Sequence, residues 1–446
     1  MAQDQAWVTP SLADAADLKG LTEAAALRRD RDDELAPFRE RFYRPQAGPI
    51  YLDGNSLGLL SHDAEVAVLT ALDDWKRQAI GGWLEASPPW FYLAEQVSAA
   101  LAPLLGAAPD QVAVTGSTTV NLHQLVATFY RPAGARRRIL ATALDFPSDL
   151  YALRSQIALR GGDPQADLVL VPSLDGRTID EEAIIAALRD PRVALAVLPS
   201  VLYRSGQLLD LRRIAAAATA SEVTLGLDCA HSAGIVHHHL DEWGVDFAVW
   251  CTYKYLNGGP GSTAALYVNR RHFGTAPGLA GWWGSLKERQ FDMAAHYQGA
   301  EGAGAWQIGT PPILSTAPLL GALRLHHEAG LDRLRAKSLA QTSYLRHMLE
   351  AGGLTSAPYN YAVGTPREDH RRGGHLAVEH PLAAPICKAL KARGVVPDFR
   401  PPNVIRLAPV PLYTSYHDLW QAADHLRRIL DEGEHERYTA ERDMVA

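Results

Sequence analysis

Lys254 stands in CTYKYLNGGPGS, straight after an apolar run of strand length and straight before a glycine-rich turn. A strand end is a fixed mount, and a glycine-rich turn lets other groups approach closely. An amine held there can condense with a carbonyl compound and move a proton. Three more groups share this kind of setting. VTGSTTVNL puts Gly116, Ser117, Thr118 and Thr119 where a strand passes into a helix, and a helix N-terminus binds phosphate through free N–H groups and its positive dipole end. LDCAHSAG puts Asp228 and His231 at another strand end, the side on which open α/β sheets bind ligands. DFPSDLY follows a third strand with an aromatic face, Phe146, and a carboxylate, Asp149. Taken singly, each has an ordinary structural account. Ser and Thr cap helices, a turn takes an aspartate, a core packs a histidine, and a lysine in a loop is solvated.

Taken together, a phosphate cup, a stacking aromatic, a carboxylate and a lysine, in that chain order, match the needs of pyridoxal phosphate. The phosphate would sit on the helix N-terminus. Asp228 would pair with the pyridine nitrogen and keep it protonated, so that the ring accepts electrons. Lys254 would hold the cofactor covalently and, as a neutral amine, act as a base.

These groups need a scaffold that repeats strand and helix. From residue 111 onward the apolar runs QVAVTGS, RRILATALDF, ADLVLVPS, VALAVLPS, VTLGLDCAHS and VDFAVWCTYK read as strands. Helical stretches lie between most of them, including TIDEEAIIAALRD, where Thr178 and Glu181 have the spacing of a capping box. Alternation of this kind predicts a mostly parallel sheet covered on both faces. Beyond residue 315 the pattern changes to a long helix with one glycine break, short strands in GGHLAVEH and NVIRLAPV, and an amphipathic helix. That last helix carries Leu419, Ala422, Ala423, Leu426, Ile429 and Leu430 on one stripe. The expected division is an N-terminal arm with helices over 1–75, a large ligand-binding domain over 76–314 and a smaller α+β domain over 315–446.

Composition removes other classes. The 446 residues are 47% hydrophobic and 21% charged, which is a folded chain and not a disordered one. Lys plus Arg is 43 against 50 Asp plus Glu, a net charge of -7, so no nucleic-acid footprint is present. No apolar run reaches the roughly 20 residues a membrane span needs. The N-terminus lacks the basic and apolar regions of a signal peptide. Cys229, Cys251 and Cys387 form no CxxC pair and suit free thiols in a reducing cytoplasm. His237, His238 and His239 are adjacent, and three neighbours cannot all face one ion in regular structure, so a solvated loop is expected and no metal. Trp283 and Trp306 read as packing residues.

The blocks YLDGNSLGLL, FPSDLYA, LDCAHSAG, WGVDFAVWCTYKYLNGGPGS, GWWG, GTPPIL and VIRLAPVPLYTSYHDL resemble kynureninase, a fold-type-I enzyme of the pyridoxal-phosphate class. The resemblance runs from about residue 50 almost to the end. It implies an α/β fold-type-I architecture and hydrolytic cleavage of kynurenine to anthranilate and L-alanine. It implies that Lys254 carries the cofactor, that Tyr253, Ser117 and Thr118 hold the phosphate, and that Phe146 stacks on the ring. Asp228 would pair with the ring nitrogen, while His231, Ser148 and Asp149 line the cofactor. Trp282 and Thr310 would reach the phosphate across a homodimer. Arg406 would clamp the substrate α-carboxylate, with Asn55 and Ser56 near the substrate and Trp83 as a flat apolar wall. Ser285 departs from the histidine usual after GWWG, which implies a roomier pocket for substituted rings. Pro199 and Leu202 also replace residues that are commonly more polar. A second reading is another lyase of the same fold, such as a cysteine desulfurase or selenocysteine lyase, although that needs a mobile cysteine in a polar loop. A third is a non-catalytic protein that binds the cofactor.

Overall fold

The computed structural model describes residues 20–47 and 49–441; the first nineteen residues, on which the signal-peptide reading rests, lie outside them. A two-residue strand, β1 (Ile50–Tyr51), comes first. Seven more build the main sheet: β2 (Val112–Val114), β3 (Arg138–Thr142), β4 (Leu168–Val171), β5 (Val193–Pro199), β6 (Thr224–Asp228), β7 (Phe247–Trp250) and β8 (Ala265–Val268). Their order is β2-β8-β7-β6-β5-β3-β4. The pairs from β4 across to β7 are parallel, and β8 runs antiparallel to both β7 and β2.

Both faces of this sheet are buried, which is why its strands read as unbroken apolar runs. Successive side chains alternate between two cores. Leu140, Ala196, Leu198, Ala248 and Trp250 enter one; Ile139, Ala141, Leu195, Val197, Phe247 and Val249 enter the other.

The longer helices span eight residues or more. They are α1 (Glu23–Arg31), α2 (His62–Gln78), α3 (Leu93–Leu101), α4 (Thr118–Phe129), α5 (Pro147–Leu159), α6 (Glu181–Leu188) and α7 (Leu211–Ala220). The predicted long helix is α8 (Pro318–Ala329) and α9 (Leu331–Ala351), parted at Gly330. The expected capping box before α6 is not formed. The carboxylate of Asp175 takes both the amide (2.7 Å) and the hydroxyl (2.9 Å) of Thr178. Asp180 caps the helix instead, accepting from the Glu182 amide.

The C-terminal part has the predicted α+β character. β9 (Ala362–Val363), β10 (Leu376–Glu379), β12 (Asp398–Arg400) and β13 (Val404–Leu407) form an antiparallel sheet ordered β12-β13-β10-β9. α10 (Ala383–Ala392) and α11 (Tyr416–Asp431) complete the set. Ser415 and Asp418 close a true capping box at the start of α11. β1 pairs in parallel with β11 (Val395–Val396), so Ile50 and Leu52 join Leu376, Ile405 and Leu419 in one core. This pairing brings the 53–58 loop to the sheet that carries Arg406.

Candidate active site

The carboxyl ends of β3, β5, β6 and β7 converge, and the candidate residues hang from the loops that follow them. Gly116, with φ 53°, turns the chain from β2 into α4. A Cβ there would lie 2.5 Å from Asn121 Oδ1, so only glycine fits. Ser117 is the N-cap of α4, yet its side chain makes no capping hydrogen bond. Its hydroxyl and the first amides of α4 remain available to an anion. Thr119 Oγ1 and Ser148 Oγ lie 2.8 Å apart and tie the start of α4 to the start of α5. Phe146, N-cap of α5 before a proline at the first helical position, leaves 43% of its surface exposed. The Tyr203 ring meets it edge-on at 5.3 Å.

Asp228 ends β6 and accepts the Ala230 amide at 2.8 Å. Its carboxyl also shares a hydrogen bond with that of Asp149. Burial, then the charges of Asp228 and Asp145, push Asp149 well above the usual carboxylate range. Burial raises Asp228 too, but the Lys254 amine opposes it. The pair therefore holds a protonated Asp149 that donates to an anionic Asp228. Asp145 lies behind them and bonds the Thr142 amide (3.1 Å) and hydroxyl (2.5 Å).

Lys254 Nζ lies 2.9 Å from His231 Nε2. Burial, then the lysine charge, hold His231 well below its ordinary value, so the ring is neutral and Nε2 accepts from the amine. The lysine loop is pinned by the 53–58 loop. The Gly58 amide donates to the Tyr253 carbonyl at 2.7 Å, and a Cβ on Gly58 would lie 2.4 Å from the Lys254 carbonyl oxygen. The Tyr253 hydroxyl bonds Cys251, and burial pushes it above its ordinary value.

Arg406 is buried on β13. It bonds Asp398, the Tyr203 carbonyl (2.7 Å) and Ser56 Oγ (3.0 Å). Asn55 is buried, with neither side-chain polar atom hydrogen-bonded.

Ser117, Thr118, Phe146, Ser148, Asp149, Asp228, His231, Tyr253 and Lys254 thus come from the loops at one end of the main sheet, with Ser56 and Arg406 beside them. Four predicted residues make other contacts within this chain. Trp83 packs between Trp90 (5.9 Å) and Trp283 (5.5 Å). Trp282 meets Phe291. Ser285 borders a cavity of about 250 Å³ with Trp282, His296 and Tyr297. Thr310 is exposed. Among the described residues no hydrogen bond or ring contact joins these four to Lys254 or Asp228.

Tyr203, Asp145, Asp398 and His375, whose ring centroid lies 6.0 Å from that of His231, join the site without being among the residues expected from the sequence. Asp145 directly precedes FPSD, and Asp398 stands eight residues before Arg406 across a Pro-Pro turn, which is a hairpin signal. The reading of the three histidines as a solvated loop fails for His238. It is buried and lies 2.8 Å from Ser232 Oγ, with its ring held down to about 3 by burial. The loop folds inward there because the Leu240 amide bonds the Leu105 carbonyl.

The buried Asp145 makes one testable demand. Burial pushes its carboxyl up to about 7, above the value of an unfolded chain. Such a group favours the folded state at low pH, and that contribution is lost as pH rises from about 4 towards 7. Each unit in that window is worth about 1.4 kcal/mol. Asp145→Asn is expected to flatten the fall in stability between pH 5 and pH 8. Urea midpoints at the two pH values check this, and an equal fall in both proteins would refute it.

The residues present fit pyridoxal phosphate: an uncapped helix start for the phosphate, an exposed aromatic face, a buried anionic carboxylate and a lysine that solvent reaches. The comparisons agree. The Aminotransferase class-V family profile matches residues 50–378, and the Kynureninase C-terminal domain profile matches 334–426. A protein named Kynureninase from Geobacillus thermodenitrificans is 52% identical over 94% of this chain and 97% of its own length. One from Shouchella clausii is 51% identical over 95% and 98%. Among solved structures, the apo cysteine desulfurase of Thermococcus onnurineus superposes with a TM-score of 0.72 at 16% identity, covering 86% of this chain and 94% of its own. A C-DES variant with glycine covalently linked to its PLP cofactor gives 0.72 at 19%, covering 84% and 96%. At such identities the structures speak for the fold alone: α/β, fold type I. Identical to these curated relatives at 51–52% of the aligned positions, across almost its whole length, the chain belongs to the kynureninase family.

Proposed function

We propose that this chain hydrolyses the Cβ–Cγ bond of L-kynurenine, or of a ring-substituted kynurenine, to L-alanine and an anthranilate, with pyridoxal phosphate as its cofactor. The observation that carries the reading is Lys254 Nζ at 2.9 Å from a neutral His231, beside the Asp228–Asp149 pair, in a chain of this family. Bound pyridoxal phosphate supplies an electron-withdrawing ring that stabilises negative charge on the α- and β-carbons of an attached amino acid. Ser117, Thr118, Tyr253 and the amides of α4 would hold its phosphate, with the exposed Phe146 available to its ring. Asp228 keeps a proton on the ring nitrogen, and Asp149 keeps Asp228 fixed and anionic by donating to it. Lys254 Nζ moves the proton of the substrate α-carbon. His231, as a neutral acceptor, orients that amine without competing for the proton. Arg406 binds the α-carboxylate, a task suited to a planar guanidinium, and Ser56 and Asn55 border it.

The working form is a homodimer. Val66, Leu69, Leu72 and Trp75 are exposed at three-residue spacing on α2, and Ile80, Leu84, Trp282, Phe291 and Met293 are exposed as well. So much apolar surface favours a partner. The partner subunit's Trp282 and Thr310 complete the phosphate site. Trp83 and Ser285 then shape the aryl end, where serine leaves room for larger rings. No helix among the described residues is long and apolar enough to cross a membrane, and Cys229, Cys251 and Cys387, buried and outside any disulfide, suit a cytoplasmic home.

The desulfurase alternative needs a reactive thiol. Burial pushes Cys229 up to about 12 and raises Cys251 as well, so neither is a thiolate nucleophile at neutral pH. Purified protein with pyridoxal phosphate, kynurenine and 3-hydroxykynurenine, followed by anthranilate fluorescence, tests the proposal. Turnover of either substrate supports it. A yellow protein inert to both would favour the binding-protein reading, and sulfide released from cysteine would favour the desulfurase.

A further inference from the structure

The arginine assigned to the substrate carboxylate is already held by a carboxylate of its own chain. The antiparallel pairing of β12 and β13 sets Asp398 directly opposite Arg406. Their side chains are 0% and 1% exposed. Both Nε and Nη2 of Arg406 contact Asp398 Oδ2, and Arg400 Nε reaches the same oxygen at 3.1 Å. The rest of the guanidinium is held by uncharged groups from two other segments, the Tyr203 carbonyl on Nη1 and Ser56 Oγ on Nη2. One edge is therefore locked by a buried charge on the same hairpin. The other edge carries acceptors that an incoming carboxylate can replace, and Ser56 is itself partly exposed. Arg400 faces the same carboxylate oxygen, so Asp398 is shared between two arginines.

We propose that Asp398 is a positioning residue for substrate binding. It fixes the rotation of the Arg406 guanidinium so that the Nη1–Nη2 edge, now held by Tyr203 and Ser56, faces the substrate α-carboxylate. The inference rests on the reading of Arg406 as the carboxylate-binding group. A planar fork grips a carboxylate through two parallel hydrogen bonds only when its edge is aligned. Loss of the aligning charge therefore weakens binding of anything with an α-carboxylate and leaves the chemistry at Lys254 intact.

Asp398→Asn keeps the volume and one acceptor oxygen but removes the charge. In the cofactor-loaded enzyme it is expected to raise both the KM for L-kynurenine and the Kd for L-alanine by about 10–100-fold, the range known for groups that orient a metal-binding side chain. The kcat should stay within about threefold, and the visible spectrum of the bound cofactor should not change. Placed in an Arg406→Leu background, Asp398→Asn should add less than about twofold to either constant, because the residue it orients is gone. Should Asp398→Asn not accumulate folded, Asp398→Ser carries the same expectation. Unchanged L-alanine affinity in Asp398→Asn, with affinity lost in Arg406→Leu, would overturn the positioning role alone. A fall in kcat as large as the rise in KM, or full additivity with Arg406→Leu, would overturn it too. Unchanged L-alanine affinity in Arg406→Leu would remove the reading of Arg406 and this proposal with it.

Discussion

Lys254→Ala is expected to give a folded protein with no visible absorbance from bound cofactor and no measurable turnover. Loss of a general base alone costs roughly 10²–10⁴-fold, and loss of the covalent anchor adds to it. The structure gives reasons why neighbours do not compensate. The nearest nitrogen, His231 Nε2, is held neutral mainly by burial and cannot form the same bond to an aldehyde. Removing the amine also removes the cation that lowers Asp228 and Asp149, so both carboxyls shift further towards the protonated form and the carboxylate meant for the ring nitrogen weakens. Folding should survive, because Lys254 is only partly buried and alanine fits the space. Absorbance spectra, anthranilate fluorescence and thermal melts of the two proteins settle the matter. A variant that keeps the band and the turnover would end the assignment of Lys254.

What the sequence made legible follows from where the chemistry sits. Lys254, Asp228 and Phe146 each follow an apolar run, and in a parallel sheet such positions come to one end. Their meeting could be argued from period and order alone. Charge partners from distant segments were not legible. Asp398 reaches Arg406 only because β12 pairs with β13 in one register, and Ser56 reaches it only because β1 pairs with β11. The donor role of Asp149 was hidden for a different reason. A sequence contains two aspartates, but only the folded surroundings, here the Lys254 amine and the Ala230 amide beside Asp228, decide which of them keeps its proton. The false capping box shows how local rules compete: Thr178 has the spacing for one, but Asp175 three residues earlier offers it two stronger, charge-assisted bonds. An adjacent run of histidines says nothing about which of them turns inward, and so His238 departs from the solvated loop expected there.

That same pair of aspartates supports the second large expectation, which separates two carboxyls with similar burial and different work. Asp228→Asn should still bind pyridoxal phosphate, since Lys254 and the α4 amides are untouched. It should lose about 10²–10⁴-fold in kcat, equal to roughly 3–5.5 kcal/mol of barrier, because a neutral amide does not hold a proton on the ring nitrogen. The carbonyl oxygen of the introduced side chain can still accept the Ala230 amide, so the loop should keep its shape. Asp149→Asn should behave differently. Asp149 serves as a donor to Asp228, and an asparagine N–H supplies a donor in the same place, so its loss should stay within about tenfold. The double variant distinguishes a shared role from separate ones. In Asp228→Asn the charge that raises Asp149 is gone, so Asp149 ionises more readily and restores part of the missing negative charge. Asp228→Asn combined with Asp149→Asn should therefore fall below Asp228→Asn alone by more than Asp149→Asn costs in the wild type. Single-turnover rates for the four proteins measure this directly. Near-normal rates in Asp228→Asn would place the essential carboxylate elsewhere, and equal losses in the two single variants would show that Asp149 is no mere donor.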